Sequence, residues 1–170
     1  CLNARVMGLS GALLEPDAAL RTLAETNVIE NAAAFAVRAG RVEDTGDAFA
    51  LDTQAYLHVF CNPPFYGDDF DASPHATRNA AHAESAPLAA WVACARRALV
   101  PGGSLTCILP PARMDDWLQA LDAFGAVTVL PLAPKAGQSA KRVIIRAILG
   151  RKTPLALLAP FILHNDDGSY

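Results

Sequence analysis

The sequence lacks the features that mark several protein classes. Its 170 residues contain no uninterrupted apolar run of about 18, the length that a membrane-spanning helix requires, and no start typical of a secretory signal. Its four cysteines are scattered, without the C-x-x-C or Cys/His spacing typical of zinc sites. We therefore predict a cytoplasmic protein with reduced cysteines, no membrane span and no metal site.

Charge is also scarce, at 18% of residues, with a formal net charge of −3. Such a balance is not typical of a nucleic-acid-binding protein, although the distribution of charge matters more than its sum. The basic residues of the C-terminal half are compatible with either a solvated hairpin face or a patch facing RNA. They are Lys135, Lys141, Arg142, Arg146, Arg151 and Lys152.

The chain contains no internal repeat and no low-complexity segment. Its length and its 52% hydrophobic content predict a single domain, residues 1–170, with a substantial core. Apolar runs predict strands at 6–15, 34–42, 56–61, 104–109, 127–132 and 142–149. Stripes at helical spacing predict helices at about 17–30, 88–99 and 114–121. The alternation indicates an α/β fold, and the short 133–140 connection requires the last two strands to pair antiparallel.

The most informative segment is Asn62-Pro63-Pro64-Phe65, which directly follows the apolar run Tyr56–Cys61. We interpret that run as a buried parallel strand, so the four residues leave the carboxyl edge of a sheet, where open α/β sheets bind ligands. The two prolines stiffen the turn and remove backbone donors. The Asn62 side-chain oxygen and the Pro63 carbonyl could accept both N–H bonds of a planar amine while Phe65 stacks on it. An ordinary strand-to-loop turn is the alternative interpretation.

The motif resembles the Asn-Pro-Pro-Phe/Tyr signature of class I amino-methyltransferases that use S-adenosylmethionine. Three other segments support the resemblance. Residues 99–105 are similar to the L-x-P-G-G-x-L segment of this superfamily. Residues 160–170, and Lys141-Arg142-Val143 before the last strand, are similar to bacterial tRNA adenine-N6 methyltransferases that act beside the anticodon. The resemblance implies a Rossmann-like sheet with a C-terminal antiparallel β-hairpin.

The resemblance also implies roles for individual residues. Asn62, Pro63, Pro64 and Phe65 would form the catalytic motif, with Asn62 also bordering the cofactor. Glu15 would bind the ribose hydroxyls of S-adenosylmethionine, unless it is only a helix N-terminal acid, and Val42 would line the adenine pocket. The acid expected near the cofactor adenine could be Glu43, Asp44 or Asp47. Lys141 and Arg142 would contact RNA.

One expected element is absent from the sequence. Members of the superfamily carry a glycine-rich turn after their first strand, and no G-x-G-x-G occurs here. We expect that this strand and turn precede Cys1, that residues 2–6 are the tail of the next helix, and that the chain alone binds S-adenosylmethionine weakly. Residues 66–84 are predicted to form a polar loop beside the site.

The resulting functional prediction is a methyltransferase that modifies adenine N6 in tRNA by direct transfer from S-adenosylmethionine. Two alternatives remain open at this point. The same chemistry could act on a glutamine side chain of a protein, or the chain could be a non-catalytic, methyltransferase-like binding module.

Overall fold

The computed structural model describes residues 7–64 and 86–164. Within these residues the chain forms eight strands, three α-helices and two short 3₁₀ turns, at Gly46–Ala48 and Pro111–Arg113. The strands are β1 Ser10–Leu14, β2 Ala34–Arg38, β3 Tyr56–Cys61, β4 Leu99–Leu109, β5 Phe124–Ala133, β6 Arg142–Leu149, β7 Ala156–Leu157 and β8 Phe161–Ile162. The helices are α1 Ala18–Glu30, α2 Leu88–Ala98 and α3 Met114–Ala120.

The described strands form two sheets. β1 and β2 pair in parallel, and the larger sheet has the order β3-β4-β6-β5, with the short β7 and β8 both added to β5. β3 is parallel to β4, whereas β6 is antiparallel to both β4 and β5. The predicted α/β alternation and antiparallel hairpin are therefore confirmed. The predicted limits of β3 and β6 are also correct, and those of β1, β2, β4 and β5 differ by a few residues. The two short strands β7 and β8 were not predicted.

The largest difference in strand limits concerns β4, which begins at Leu99, five residues before its predicted start. Pro101, Gly102 and Gly103 lie inside the strand, where the β3–β4 register shifts between Tyr56 and His58. Gly102 has a φ of +81°, a conformation that costs little only for glycine. The Pro-Gly-Gly segment therefore forms a bulge in the strand.

The core lies on one face of the larger sheet, beneath α2 and α3. The stripe of α2 that packs there comprises Leu88, Val92 and Ala95, as the helical spacing predicted. Trp117 of α3 is completely buried, at 0% exposure, and Trp91 is partly buried at the margin of the core.

The prediction that β3 is buried is wrong, because the face of the larger sheet opposite the core is open. Among the described residues, β3 is an edge strand that pairs with β4 alone. The side chain of Phe60, on the face away from the core, is 72% exposed, and Leu57 near the start of the strand is 68% exposed. The next strand positions across this face from Phe60 are Thr106 and then Arg146. α2 and α3 pack on the other face, so an apolar sequence here does not produce burial.

The two sheets are not hydrogen-bonded to one another through any described strands. An open cleft of about 570 Å³ lies where they meet, lined by parts of β1 and β2 and by Asp52, Ala55 and Tyr56 before and at the start of β3. β1 and β3 each pair with a single strand. The described sheet is therefore interrupted between them.

β5 also has a bulge near its start, because its register with β6 shifts between Gly125 and Thr128. Substitutions at Gly125 and Ala126 test this bulge. A Cβ on Gly125 would meet the Arg151 carbonyl oxygen, and the carbonyl carbon would lie only 2.6 Å away. We expect Gly125→Ala to lower the free energy of unfolding by about 3 kcal/mol, because backbone must move to admit the methyl group. Denaturant unfolding measures this loss.

Ala126→Gly is the matched control for that substitution. Ala126 has a φ of +49°, which strains a residue with a Cβ and suits glycine. The free energy of unfolding of Ala126→Gly should stay within about 1 kcal/mol of that of the starting protein. Equal losses for both variants would contradict this description of the bulge.

Candidate active site

The proline turn lies at the carboxyl end of β3, as predicted, and its residues differ in burial. Asn62 is exposed, the ring of Pro63 is fully buried, and Pro64 is partly buried. Phe65 and the predicted loop at 66–84 lie outside the described residues. The buried proline ring fixes the turn to the protein while the Asn62 amide remains accessible at the sheet edge, which is the arrangement that a substrate-orienting amide needs.

The structure brings the predicted RNA-contacting residues to the same edge. β6 is antiparallel to β4, with Val143 opposite Leu109, so the start of β6 adjoins the carboxyl ends of β3 and β4. Lys141 and Arg142 are both exposed there, and Arg142 Nη1 donates to the Lys141 carbonyl at 2.8 Å. Since β3 and β6 are two strand spacings apart, the basic pair lies on the order of 10 Å across the sheet from the Asn62 turn.

Glu15 follows β1 and is held at the start of α1. Its N–H donates to the Arg38 carbonyl at 3.0 Å, which extends the pairing with β2. Its Oε1 accepts the N–H of Asp17 at 2.9 Å, and Asp17 caps α1 by accepting from the N–H of Leu20 at 2.8 Å. The carboxylate is therefore positioned by the helix start. Its Oε2 makes no hydrogen bond to any residue that the structure describes, so it can accept from a ligand hydroxyl.

The loop after β2 lies against the end of β1. A Cβ on Gly40 would lie 3.0 Å from both Leu14 Cδ1 and Ala50 Cβ, so the backbone passes very close there. Val42 in this loop is partly buried, whereas Glu43 and Asp47 are exposed. A flat ligand at the ends of β1 and β2 would thus meet Glu15 on one side and this loop on the other.

Asp44, one of the three predicted acids, is already used within the loop. Its Oδ2 accepts the N–H of Arg41 at 2.7 Å, and its carbonyl accepts from Arg97 Nη1 at 2.6 Å. The Arg97 guanidinium also stacks 4.4 Å from the centre of the Phe49 ring. Arg97 therefore ties the loop to α2, a contact between distant segments that no local sequence pattern indicated.

Sequence reasoning also missed two pairs of side chains that join β3 to β4. His58 Nδ1 and the Ser104 hydroxyl are 2.7 Å apart on the open face of the sheet. On the core face, Cys61 is the direct register partner of Cys107. The neighbouring Cys61 thiol, together with burial, raises the pKa of the Cys107 thiol above its ordinary value. Strand register brings these residues together, and register is not visible in a single sequence.

Two negative findings apply to the described part of the chain only. No helix in it is long and apolar enough to cross a membrane. Within residues 7–64 and 86–164, no three His, Cys, Asp or Glu side chains gather closely enough to hold a metal ion. A cleft of about 630 Å³ between α2 and α3 is lined by Thr53, Arg96 and Gln119 among others and lies at the amino edge, away from Asn62.

Comparisons with known proteins identify the fold. No protein-family model matches the chain. A tRNA1(Val) (adenine(37)-N6)-methyltransferase of Shewanella frigidimarina is 27% identical over 114 residues, which cover 67% of this chain. The chain spans only 40% of the length of that relative.

Solved structures give the broader match. A predicted O-methyltransferase of Agrobacterium tumefaciens superposes with a TM-score of 0.74 and 24% identity, covering 91% of this chain and 69% of that one. An S-adenosylmethionine-dependent O-methyltransferase of Thermotoga maritima gives 0.57 with 12% identity, covering 85% and 51%. A geranyl diphosphate C-methyltransferase of Streptomyces coelicolor, solved with S-adenosyl-L-homocysteine, gives 0.57 with 14% identity, covering 86% and 67%. The chain therefore has the Rossmann-like α/β fold of class I methyltransferases, as predicted.

The buried thiol of Cys94 on α2 gives a pH-dependent prediction. Burial, partly opposed by the charge of Arg97, raises the pKa of Cys94 from 9.0 to about 11. Above pH 9 the unfolded chain releases this proton while the folded chain retains it, so the thiol's contribution to stability is complete below pH 9 and declines above it. The loss should reach about 1 kcal/mol at pH 10.

Denaturant unfolding at pH 8 and pH 10, with reductant present, measures this loss. Cys94→Ala is the control, because every other titrating group remains in it. Its stability should fall by about 1 kcal/mol less than that of the starting protein over the same interval. Parallel declines in the two proteins would show that Cys94 is not protected in the fold.

Proposed function

We propose that this chain belongs to an S-adenosylmethionine-dependent methyltransferase that modifies the N6 amine of an adenine in tRNA. The observation that carries the proposal is the exposed Asn62 amide on a turn anchored by the buried Pro63 ring, at the carboxyl edge of a class I methyltransferase sheet. Ligands of open α/β sheets bind at this edge.

The turn acts by orienting the amine. Its nitrogen is a weak nucleophile because its lone pair is delocalised into the ring. The Asn62 Oδ1 and the Pro63 carbonyl accept its two N–H bonds, which favours a pyramidal nitrogen with its lone pair turned outward. S-adenosylmethionine, when bound, supplies a methyl group on positively charged sulfur. The turn would hold the nitrogen with its lone pair facing that methyl group, and the surplus proton of the methylated amine would leave to water. The rate gain comes from orientation and preorganised acceptors.

Other residues of the chain hold the partners of this reaction. Glu15 would hold the cofactor by accepting from its ribose hydroxyls at Oε2, and Val42 would line the pocket for its adenine. The proposed role of Phe65, which directly follows the turn in sequence, is to provide an aromatic ring for the target base. A base within a helix cannot reach this edge, so the substrate adenine is unpaired or flipped.

Two observations favour tRNA as the substrate. The relative from Shewanella frigidimarina is a tRNA1(Val) (adenine(37)-N6)-methyltransferase. Lys141 and Arg142 are exposed at the same sheet edge as Asn62, at a distance that allows contact with phosphates beside a base held at the turn. A basic pair at this place serves a polyanion better than it serves a neutral glutamine side chain.

The first test replaces the orienting amide, in the protein expressed from its complete reading frame. Asn62→Ala should lower the rate of methyl transfer to tRNA by roughly a hundredfold or more, because one of the two acceptors for the amine is removed. The affinity for S-adenosylmethionine should change little. Single-turnover transfer of radiolabelled methyl and calorimetric titration of the cofactor measure the two quantities.

Asn27→Ala, which removes an exposed amide on α1, is the control and should leave both quantities unchanged. Equal losses of transfer and cofactor affinity in Asn62→Ala would contradict the orienting role. Transfer to a release factor, with none to tRNA, would replace the proposed substrate with a protein glutamine.

The second test concerns the basic pair. Neutralising Lys141 and Arg142 should weaken tRNA binding and reduce its dependence on salt, with the logarithmic slope falling by about 0.7 to 0.9 for each phosphate that the protein no longer neutralises. Fluorescence anisotropy over a salt series measures both effects. Lys141 and Arg142 are neutralised one at a time and together. Arg96→Ala, which removes a positive charge at the amino edge of the sheet, is the control for the single variants. An unchanged slope in the double variant would remove the basic pair from the interface.

A further inference from the structure

Cys61 and Cys107 form a pair of thiols directly beneath the proline turn. They are register partners on the parallel strands β3 and β4, so their side chains project from the same face of the sheet. Neighbouring strands lie about 4.8 Å apart, within the range of roughly 4.4 to 6.8 Å between Cα atoms that a disulfide spans. Both cysteines are free, and the Cys107 thiol donates to the Ile108 carbonyl at 3.6 Å.

The two thiols differ in access to solvent. Cys107 is completely buried in the core, at 0% exposure. Cys61 is only partly buried, at the last position of an edge strand, and the next residue is the exposed Asn62. A small oxidant therefore reaches Cys61 first, and Cys107 is positioned as the second thiol that resolves the oxidised form.

We propose that Cys61 and Cys107 are an oxidation site that closes to a disulfide under peroxide and thereby displaces the Asn62 turn. In the first step the Cys61 sulfur attacks one peroxide oxygen, the O–O bond breaks, and one water leaves as Cys61 becomes a sulfenic acid. In the second step the Cys107 sulfur attacks the Cys61 sulfur, its proton joins the departing hydroxyl, and a second water leaves. Two thiols and one hydrogen peroxide thus become one disulfide and two waters.

The effect on the site follows from the position of Cys61. A disulfide has fixed bond length and torsion preferences, so replacing the thiol contact with an S–S bond shifts the end of β3. Asn62 is the next residue, and an error on the order of 1 Å in an orienting group lowers a rate about a hundredfold. This second part of the inference rests on the proposed function, whereas formation of the disulfide does not.

A third cysteine allows a test of which thiol pairs with the oxidised Cys61. Cys94 of α2 is buried and lies near enough to Cys61 for their charges to interact. It is therefore the competing partner for an oxidised Cys61. The strand register favours Cys107, because its Cα is opposite that of Cys61 while Cys94 is on a separate helix.

Treatment of the protein, expressed from its complete reading frame, with hydrogen peroxide tests the disulfide. After free thiols are blocked with iodoacetamide, mass spectrometry of peptides should show residues 61 and 107 linked, with the loss of two hydrogens. Cys94→Ala should form the same link, and Cys61→Ala and Cys107→Ala should not. A link from Cys61 to Cys94, or no link in peroxide that oxidises Cys61 to sulfinic acid, would overturn the proposal. Circular dichroism before treatment confirms that each variant is folded.

Methyl transfer measured on the same samples tests the coupling to the site. Oxidation should lower transfer at least tenfold, dithiothreitol should restore it, and the residual activity of Cys107→Ala should lack this reversible loss. A disulfide that leaves transfer unchanged would overturn the coupling. A disulfide in a protein that transfers no methyl group before or after oxidation would instead count against the proposed function, while the oxidation site would stand.

Discussion

The parallel pairing of β3 with β4 is the interaction on which the rest of the site depends. β3 has no other strand partner among the described residues, so the direction and height of its carboxyl end are set by hydrogen bonds to β4 alone. β4 is in turn held by β6 on its far side and by α2 and α3 on the core face. The best-packed part of the molecule therefore sets the position of the Asn62 turn, although the turn lies at the margin of the sheet.

The two faces of the larger sheet have different surroundings. The face with Leu105, Cys107 and Ile145 is almost completely buried beneath α2 and α3. The opposite face carries Phe60, exposed to 72%, and the exposed Arg146. A parallel pair of strands is usually covered on both faces, so the position of β3, at an edge with one open face, is unusual for a strand of such apolar composition. β3 is held by its hydrogen bonds to β4 and by the packing of its core face.

The strands and helices were largely predictable, and the reasons are local. Leu88, Val92 and Ala95 recur at helical spacing, and the 133–140 connection is too short for anything but an antiparallel pair. The site was predictable only where its residues are adjacent in sequence, as in Asn62-Pro63-Pro64. The tie from Arg97 to Asp44 joins residues 53 positions apart, and His58 meets Ser104 across 46. Composition and periodicity contain no information on such contacts, because they arise from how elements pack.

The sequence by itself determined the type of chemistry that the proline turn can perform, since an amide followed by two prolines offers acceptors on a stiff backbone in any fold that leaves it exposed. It also determined the alternation of strands and helices, through periodicities that each segment carries alone. Only the tertiary structure decided that β3 has an open face, that Lys141 and Arg142 share an edge with Asn62, and that Cys61 faces Cys107. Those facts depend on strand order and register, which are set by the summed packing of the whole chain and not by any one segment.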